Sequence, residues 1–266
     1  CNEFTWCIPA HVCMEMKPDF DLMLHRIDLF QAETARALTE ISVLLSENLP
    51  YHLNQRIEYE LRRRIFTAYK TYPFFHTAEG QLNNWSTVCA GGCGTALLHF
   101  GTEDEIDALL PRLIKGLNRY LQGLPDDGCC QEGIGYWAFG FGSYISFARV
   151  LYNYSNGEID YINLPACQRL ALFQQKARLN ENLTVSFSDA DPKFSFDAGL
   201  SCFLRSTYKD YILPDLKKSS MLGGTVPSIV NFFSLAPEYV ADEMISTMSY
   251  FETAQWYINR KEKFCF

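Results

Sequence analysis

The chain has 266 residues, 48% of them hydrophobic and 15% aromatic, and carries a formal net charge of -8. This apolar content excludes a disordered chain, and the length allows one large core or two small ones. No run approaches the roughly 20 uninterrupted apolar residues of a membrane span, and the acidic balance argues against a nucleic-acid partner, which needs a basic face to release counterions.

The opening residues have neither the basic region nor the apolar stretch of a signal peptide, although the sequence begins on Cys1 rather than Met. Ten cysteines are many for this length. A secreted disulfide framework belongs to chains shorter than about 100 residues without apolar core material, so these read as reduced, buried thiols of a cytoplasmic protein. A secreted or periplasmic location requires a leader removed ahead of Cys1. Cys89 and Cys93 share one helical face and Cys129 is next to Cys130, which raises the alternative of a thiolate metal site. Structural zinc prefers C-x2-C knuckles in loops, so small core residues are the preferred reading and no metal site is assigned.

In chain order, Ile27, Phe30, Thr34, Leu38, Ile41 and Leu45 recur at spacings of three or four and predict an amphipathic helix from Ile27 to Leu45. Pro50 stops it, and a second run from His52 to Tyr69 carries Leu53, Ile57, Leu61, Ile65 and Ala68 on one stripe. The same rhythm predicts helices over Val88 to Phe100, Glu105 to Leu121, Tyr136 to Tyr154, Ile162 to Ala177, Ala198 to Tyr208 and Glu238 to Phe251. Strand-like alternation is confined to Leu183 to Phe187 and Trp256 to Asn259. The fold class is therefore all-α, built of antiparallel helical hairpins; the pattern fits a bundle or a ring equally.

Two segments stand out chemically. The first, 81–94, is polar, opens a helix and then supplies three glycines for close backbone approach. Asn83 or Asn84 caps that helix, or one of them points into a cleft where its amide binds a carboxylate. The second, 125–144, passes from a Pro-Asp-Asp-Gly turn into a stretch dense in glycine and aromatic residues, then a helix. Tyr136 and Trp137 either stack on sugar rings from a groove or form a core cluster. Glu132, beside them, binds a sugar hydroxyl or braces the loop.

At these segments the chain resembles the heparinase II/III-like polysaccharide lyases. The resemblance rests on Asn83-Asn84-Trp85, then Asp127-Gly128 with Glu132-Gly133-Ile134-Gly135-Tyr136-Trp137, in that order. It is extended by Trp6-Cys7-Ile8-Pro9-Ala10-His11, by 28–34 (DLFQAET) and by Phe187-Ser188-Asp189-Ala190. The resemblance implies an incomplete (α/α) toroid over residues 1–254, with 255–266 opening a β-rich domain that otherwise lies beyond the chain. It implies cleavage of an acidic, uronate-containing polysaccharide or oligosaccharide by β-elimination. Asn84 would neutralise the uronate carboxylate and Tyr136 would protonate the departing oxygen or abstract the C5 proton; beside these, Asn83, Trp85, Glu132, Trp137, His11 and Arg205 are candidate substrate contacts. A fixed amide stabilises the enolate-like charge, and a phenol near a cation can serve as a base.

Many of these lyases have His where this chain has Trp85, which removes one candidate base. Trp85 is then a stacking platform or a core residue. His11 is read either as a cleft residue or as a hydrogen-bonded structural histidine. The family's other catalytic His and its metal-binding stretch belong to the β-rich domain, so the toroid itself requires no cofactor, and a divalent metal belongs to that following domain. Two rivals use the same residues: a non-catalytic carbohydrate-binding domain, and a toroid glycoside hydrolase whose acid/base pair would come from Asp126, Asp127, Asp189 and Asp191, which in turns more often cap helices.

Overall fold

The computed structural model describes residues 4–12, 23–74, 76, 83–180, 183–219, 233–235, 240–243, 247–261 and 264–265. These are mostly helical: α1 (Pro9–Val12), α2 (Leu29–Leu44), α3 (Tyr51–Leu61), α4 (Thr67–Thr71), α5 (Asn84–Phe100), α6 (Glu103–Gln122), α7 (Ile134–Tyr154), α8 (Pro165–Ala171), α9 (Phe173–Ala177) and α10 (Ala198–Thr207). An antiparallel sheet of β1 (Thr247–Phe251), β2 (Trp256–Lys261) and β3 (Phe264–Cys265) follows. The chain forms two compact units, Cys1–Gly123 with Ser143–Tyr161, and Leu124–Gly142 with Ile162–Phe266, so the residues of α7 are divided between them. Among the described residues no helix is long and apolar enough to cross a membrane.

In the first unit, α2 begins where the Asp28 side chain accepts the Gln31 N–H, an N-cap that satisfies an otherwise orphaned donor. The face it buries differs from the expected stripe. Ala32, Ala35, Thr39 and Ser42 are buried, while Phe30, Ile41 and Leu45 are exposed. The cause is the partner helix. At Gly92 of α5 a Cβ would lie 2.1 Å from the Ala32 carbonyl oxygen, so the two backbones touch and only small side chains fit between them. Helix α3 runs through a π turn, Arg62–Phe66, into α4 as one element interrupted by a bulge, and its buried stripe begins only at Leu61.

Helix α6 starts on a capping box: the Thr102 hydroxyl accepts the Glu105 N–H at 3.3 Å and the Glu105 carboxylate accepts the Thr102 N–H at 3.0 Å. The same carboxylate pairs with Arg62 and with Lys70. Burial opposes the Glu105 charge, but the Thr102 N–H and the two cations outweigh it and hold its carboxyl at about 2. A carboxyl whose folded value lies below its unfolded one adds stability that is complete above the unfolded value and is lost as pH falls towards the folded one. Glu105→Gln is therefore expected to lower Tm at neutral pH and to flatten the fall in Tm between roughly pH 4.5 and 2, checked by melting both proteins across that range.

In the second unit, the start of α7 packs with α8 and α9 around Trp137, Phe141 and Phe173, all buried. The aromatic series continues to Phe251 of β1, 5.5 Å from Phe173 between ring centroids. Residues 162–177, expected as one helix, are α8 and α9 separated at Leu172. The segment 183–187 forms only isolated bridges, Leu183 to Lys193 and Thr184 to Arg178. The helix expected over 238–251 is corrected: residues 247–251 are β1, paired in register from Thr247 opposite Arg260 to Phe251 opposite Trp256, while 238–239 and 244–246 lie outside the described residues. Alternating burial along Ser249, Tyr250 and Phe251 is the strand period that the helical spacing concealed. Arg260 of β2 anchors the sheet by donating to the Gln175 and Arg178 carbonyls at the end of α9.

Seven described cysteines are buried thiols. Burial, then nearby carboxylates, pushes the Cys7 and Cys129 thiols up to about 12, so neither is a thiolate at neutral pH. Among the described residues no group of three or more His, Cys, Asp or Glu is placed to hold a metal ion.

Candidate functional site

The five motif segments gather into two clusters, one in each unit. The first unit joins the opening segment, the start of α2 and the start of α5. Asn83 is the N-cap of α5, its side chain accepting the Trp85 N–H at 3.2 Å. Asn84 is the first residue of the helix, only 7% exposed, and its amide has no hydrogen-bond partner among the described residues. The paired asparagines thus divide: Asn83 caps the helix and the Asn84 amide stays uncommitted.

Trp85 is half-buried, and the His11 ring leans on it with centroids 4.8 Å apart and planes tilted by 58°. His11 Nδ1 lies 2.7 Å from Oδ2 of Asp28, which is fully buried. Asp28 also accepts the Ile8 N–H at 3.2 Å and the Gln31 N–H at 2.7 Å, so the carboxylate that caps α2 also fixes the histidine. Gln31 completes the cluster, its amide oxygen accepting the Trp6 N–H at 3.2 Å and its amide group donating to the Arg64 carbonyl at 3.2 Å. Arg64 is buried, paired with Glu60 at 2.8 Å, and lies over the Trp6 ring. The Arg62, Arg63 and Arg64 side chains are all paired with carboxylates, Arg62 with Glu58 and Glu105, and Arg63 and Arg64 with Glu60.

The second unit joins the glycine-rich turn and the start of α7 to residues 187–190. Gly133 has φ of 102°, a left-handed conformation, and a Cβ there would meet Ala190 at 2.7 Å, so both backbone shape and close approach require glycine. The tight turn delivers Tyr136 to the first turn of α7, where it is 41% exposed and its hydroxyl makes no hydrogen bond among the described residues. A Cβ on the neighbouring Gly135 would meet nothing within 4 Å, so this side of the helix is open. Glu132 stands at the same turn, its carboxyl raised above the ordinary range by partial burial and then by the Asp189 charge.

One sequence-derived contact needs correction, and a second is engaged locally. Trp137 is fully buried and its indole N–H donates to the Leu170 carbonyl at 2.8 Å, so it is a core aromatic whose faces are covered. Arg205 directs its guanidinium to the Lys209 and Tyr211 carbonyls and to Asp242, bracing the turn after α10 while a third of its side-chain surface stays exposed. The aspartates of the second unit also divide. Asp127 accepts the Cys129 N–H and Asp191 the Lys193 N–H, both as turn caps, while Asp126 makes only an exposed pair with Arg169. The residue that sequence reasoning missed is Asp28. Its signal was the Asp placed just before an apolar helical run, legible as a cap but not as the partner of a histidine 17 positions earlier.

No protein-family model matches the chain, and no curated protein does.

Proposed function

We propose that this chain is the helical-toroid module of a lyase of the heparinase II/III-like kind, acting on uronate-containing glycans by β-elimination. The observation that carries the reading is Asn84. Its amide makes no hydrogen bond among the described residues, and the cap of this helix is already supplied by Asn83, so the Asn84 donor is available to a ligand. A uronate carboxylate, and the enolate-like charge that builds on it as the C5 proton leaves, is the acceptor such a donor suits. Tyr136, exposed and with an uncommitted hydroxyl, supplies a proton to the departing oxygen.

A second reading has a specific observation in its favour. Glu132, raised in pKa beside Asp189, has the character of a general acid, and with a second carboxylate it would serve a glycoside hydrolase. Product chemistry separates the two, because elimination leaves an unsaturated uronate absorbing in the ultraviolet and hydrolysis does not.

The test offers heparan sulfate, chondroitin sulfate, hyaluronan and alginate to the full-length gene product and to this 266-residue chain, following ultraviolet absorbance and reducing ends together. Absorbance from the full-length protein supports the lyase. Reducing ends without absorbance shift the reading to the hydrolase, and binding without either product to a carbohydrate-binding module. Asn84→Ala is expected to lower the elimination rate by roughly 10²–10³-fold while leaving Tm unchanged or higher, since the amide loses no folded-state partner and Ala is the better helix former.

A further inference from the structure

We propose that His11, aimed by Asp28, is the base that removes the C5 proton in the elimination described above, an inference that rests on that reading. The opening segment and the start of α2 contribute nothing to the roles of Asn84 and Tyr136, yet the fold brings them together at the start of α5. Asp28 is fully buried, and both of its oxygens are held by backbone donors, Oδ1 by the Gln31 N–H at 2.7 Å and Oδ2 by the Ile8 N–H at 3.2 Å. In the neutral ring a carboxylate so placed, 2.7 Å from Nδ1, takes the Nδ1–H and the lone pair is then on Nε2. Nε2 has no partner among the described residues, and the His11 side chain keeps 23% of its surface exposed.

Placement adds to this. The His11 ring rests on Trp85, immediately after Asn84. His11 commits one nitrogen to a carboxylate that sets its tautomer and direction, and the other stays available to a substrate.

In the reaction the C5–H bond breaks and its proton passes to Nε2. The released electron pair forms the C4–C5 double bond as the C4–O bond breaks, and the departing oxygen takes a proton from a general acid. The imidazolium and the spent acid then exchange protons with water, and nothing is oxidised or reduced. Asp28 is a positioning residue.

The experiment uses the full-length gene product on the four polymers named above, with His11→Ala, His11→Gln and Asp28→Asn, each checked for folding by circular dichroism and Tm. His11→Ala is expected to lose roughly 10²–10⁴-fold in elimination rate and to regain part of it as imidazole is added, and His11→Gln, whose amide can still donate to Asp28, to lose as much. Asp28→Asn is expected to lower kcat more than it changes KM, with no recovery in imidazole because the ring is still present. Folded His11 variants that keep the wild-type rate overturn the base while leaving the lyase reading intact, as does a loss in His11→Ala that imidazole never restores. A wild-type protein that yields no ultraviolet-absorbing product overturns both.

Discussion

Tyr136→Phe is expected to bring ultraviolet-detected elimination down by roughly 10²–10⁴-fold while leaving Tm within the range that unfolding measurements treat as unchanged. The two halves of that expectation have separate causes. Tyr136 is 41% exposed in the first turn of α7, and its hydroxyl has no partner among the described residues, so deleting one oxygen removes no folded-state contact. The ring that remains still packs as before. A phenol that donates to the departing oxygen is different, because without it the alkoxide must leave unprotonated. A carbohydrate-binding module would give the opposite pattern: no elimination in either protein, and polymer binding retained in Tyr136→Phe because stacking needs only the ring. Equal elimination rates in the two proteins would remove Tyr136 from the chemistry and move attention to Glu132, the other side chain that the Gly133 turn presents.

What the sequence disclosed follows from the range of the interactions involved. Helix ends carried by local chemistry were legible: Pro50 before α3, Asn83 before α5, and the glycines whose close approach the fold realises at Gly92. Faces chosen by a distant partner were not. The stripe from Phe30 to Leu45 has a helical period, but α2 turns its small residues inward because α5 presents glycine there, a fact held by residues some 60 positions on. β1 was hidden for a similar reason, since Thr247 to Phe251 become a strand through pairing with Trp256 to Arg260 and carry too few residues to declare a period alone. At the candidate site, Asn84 and Tyr136 stood in contiguous motifs, whereas Trp137 has the same composition whether it lines a groove or fills a core. Only the Leu170 carbonyl beneath its N–H decides for the core. The His11 and Asp28 pair was the least legible part, because its two members belong to separate segments and meet only when α1 lies beside the start of α2.

Gly92→Ala is expected to be the most damaging single-methyl change in the first unit. A Cβ at this position would lie 2.1 Å from the Ala32 carbonyl oxygen and 2.5 Å from its carbonyl carbon, both backbone atoms in the first turn of α2. Overpacking of a well-filled core costs about 1–3 kcal/mol, and here no rotamer can relieve it, which puts the cost at the upper end and the fall in Tm at roughly 6–12 °C for a chain of this size. Gly94 provides the control. A Cβ there would meet the Phe147 ring at 2.1 Å, a side-chain contact, so Gly94→Ala is expected to be rescued largely by Phe147→Leu. No side-chain change rescues Gly92→Ala: Ala32→Gly leaves the offending carbonyl in place. The only relief is movement of α2 away from α5, and Asp28 caps α2, so that movement carries the carboxylate that aims His11. Gly92→Ala should therefore lose elimination rate even at temperatures where it is fully folded, whereas the rescued Gly94→Ala, Phe147→Leu pair should keep it. Thermal melts and initial rates measured below both transitions check the two halves, and a folded Gly92→Ala protein with wild-type rate would show that α2 can shift without disturbing the His11 and Asp28 pair.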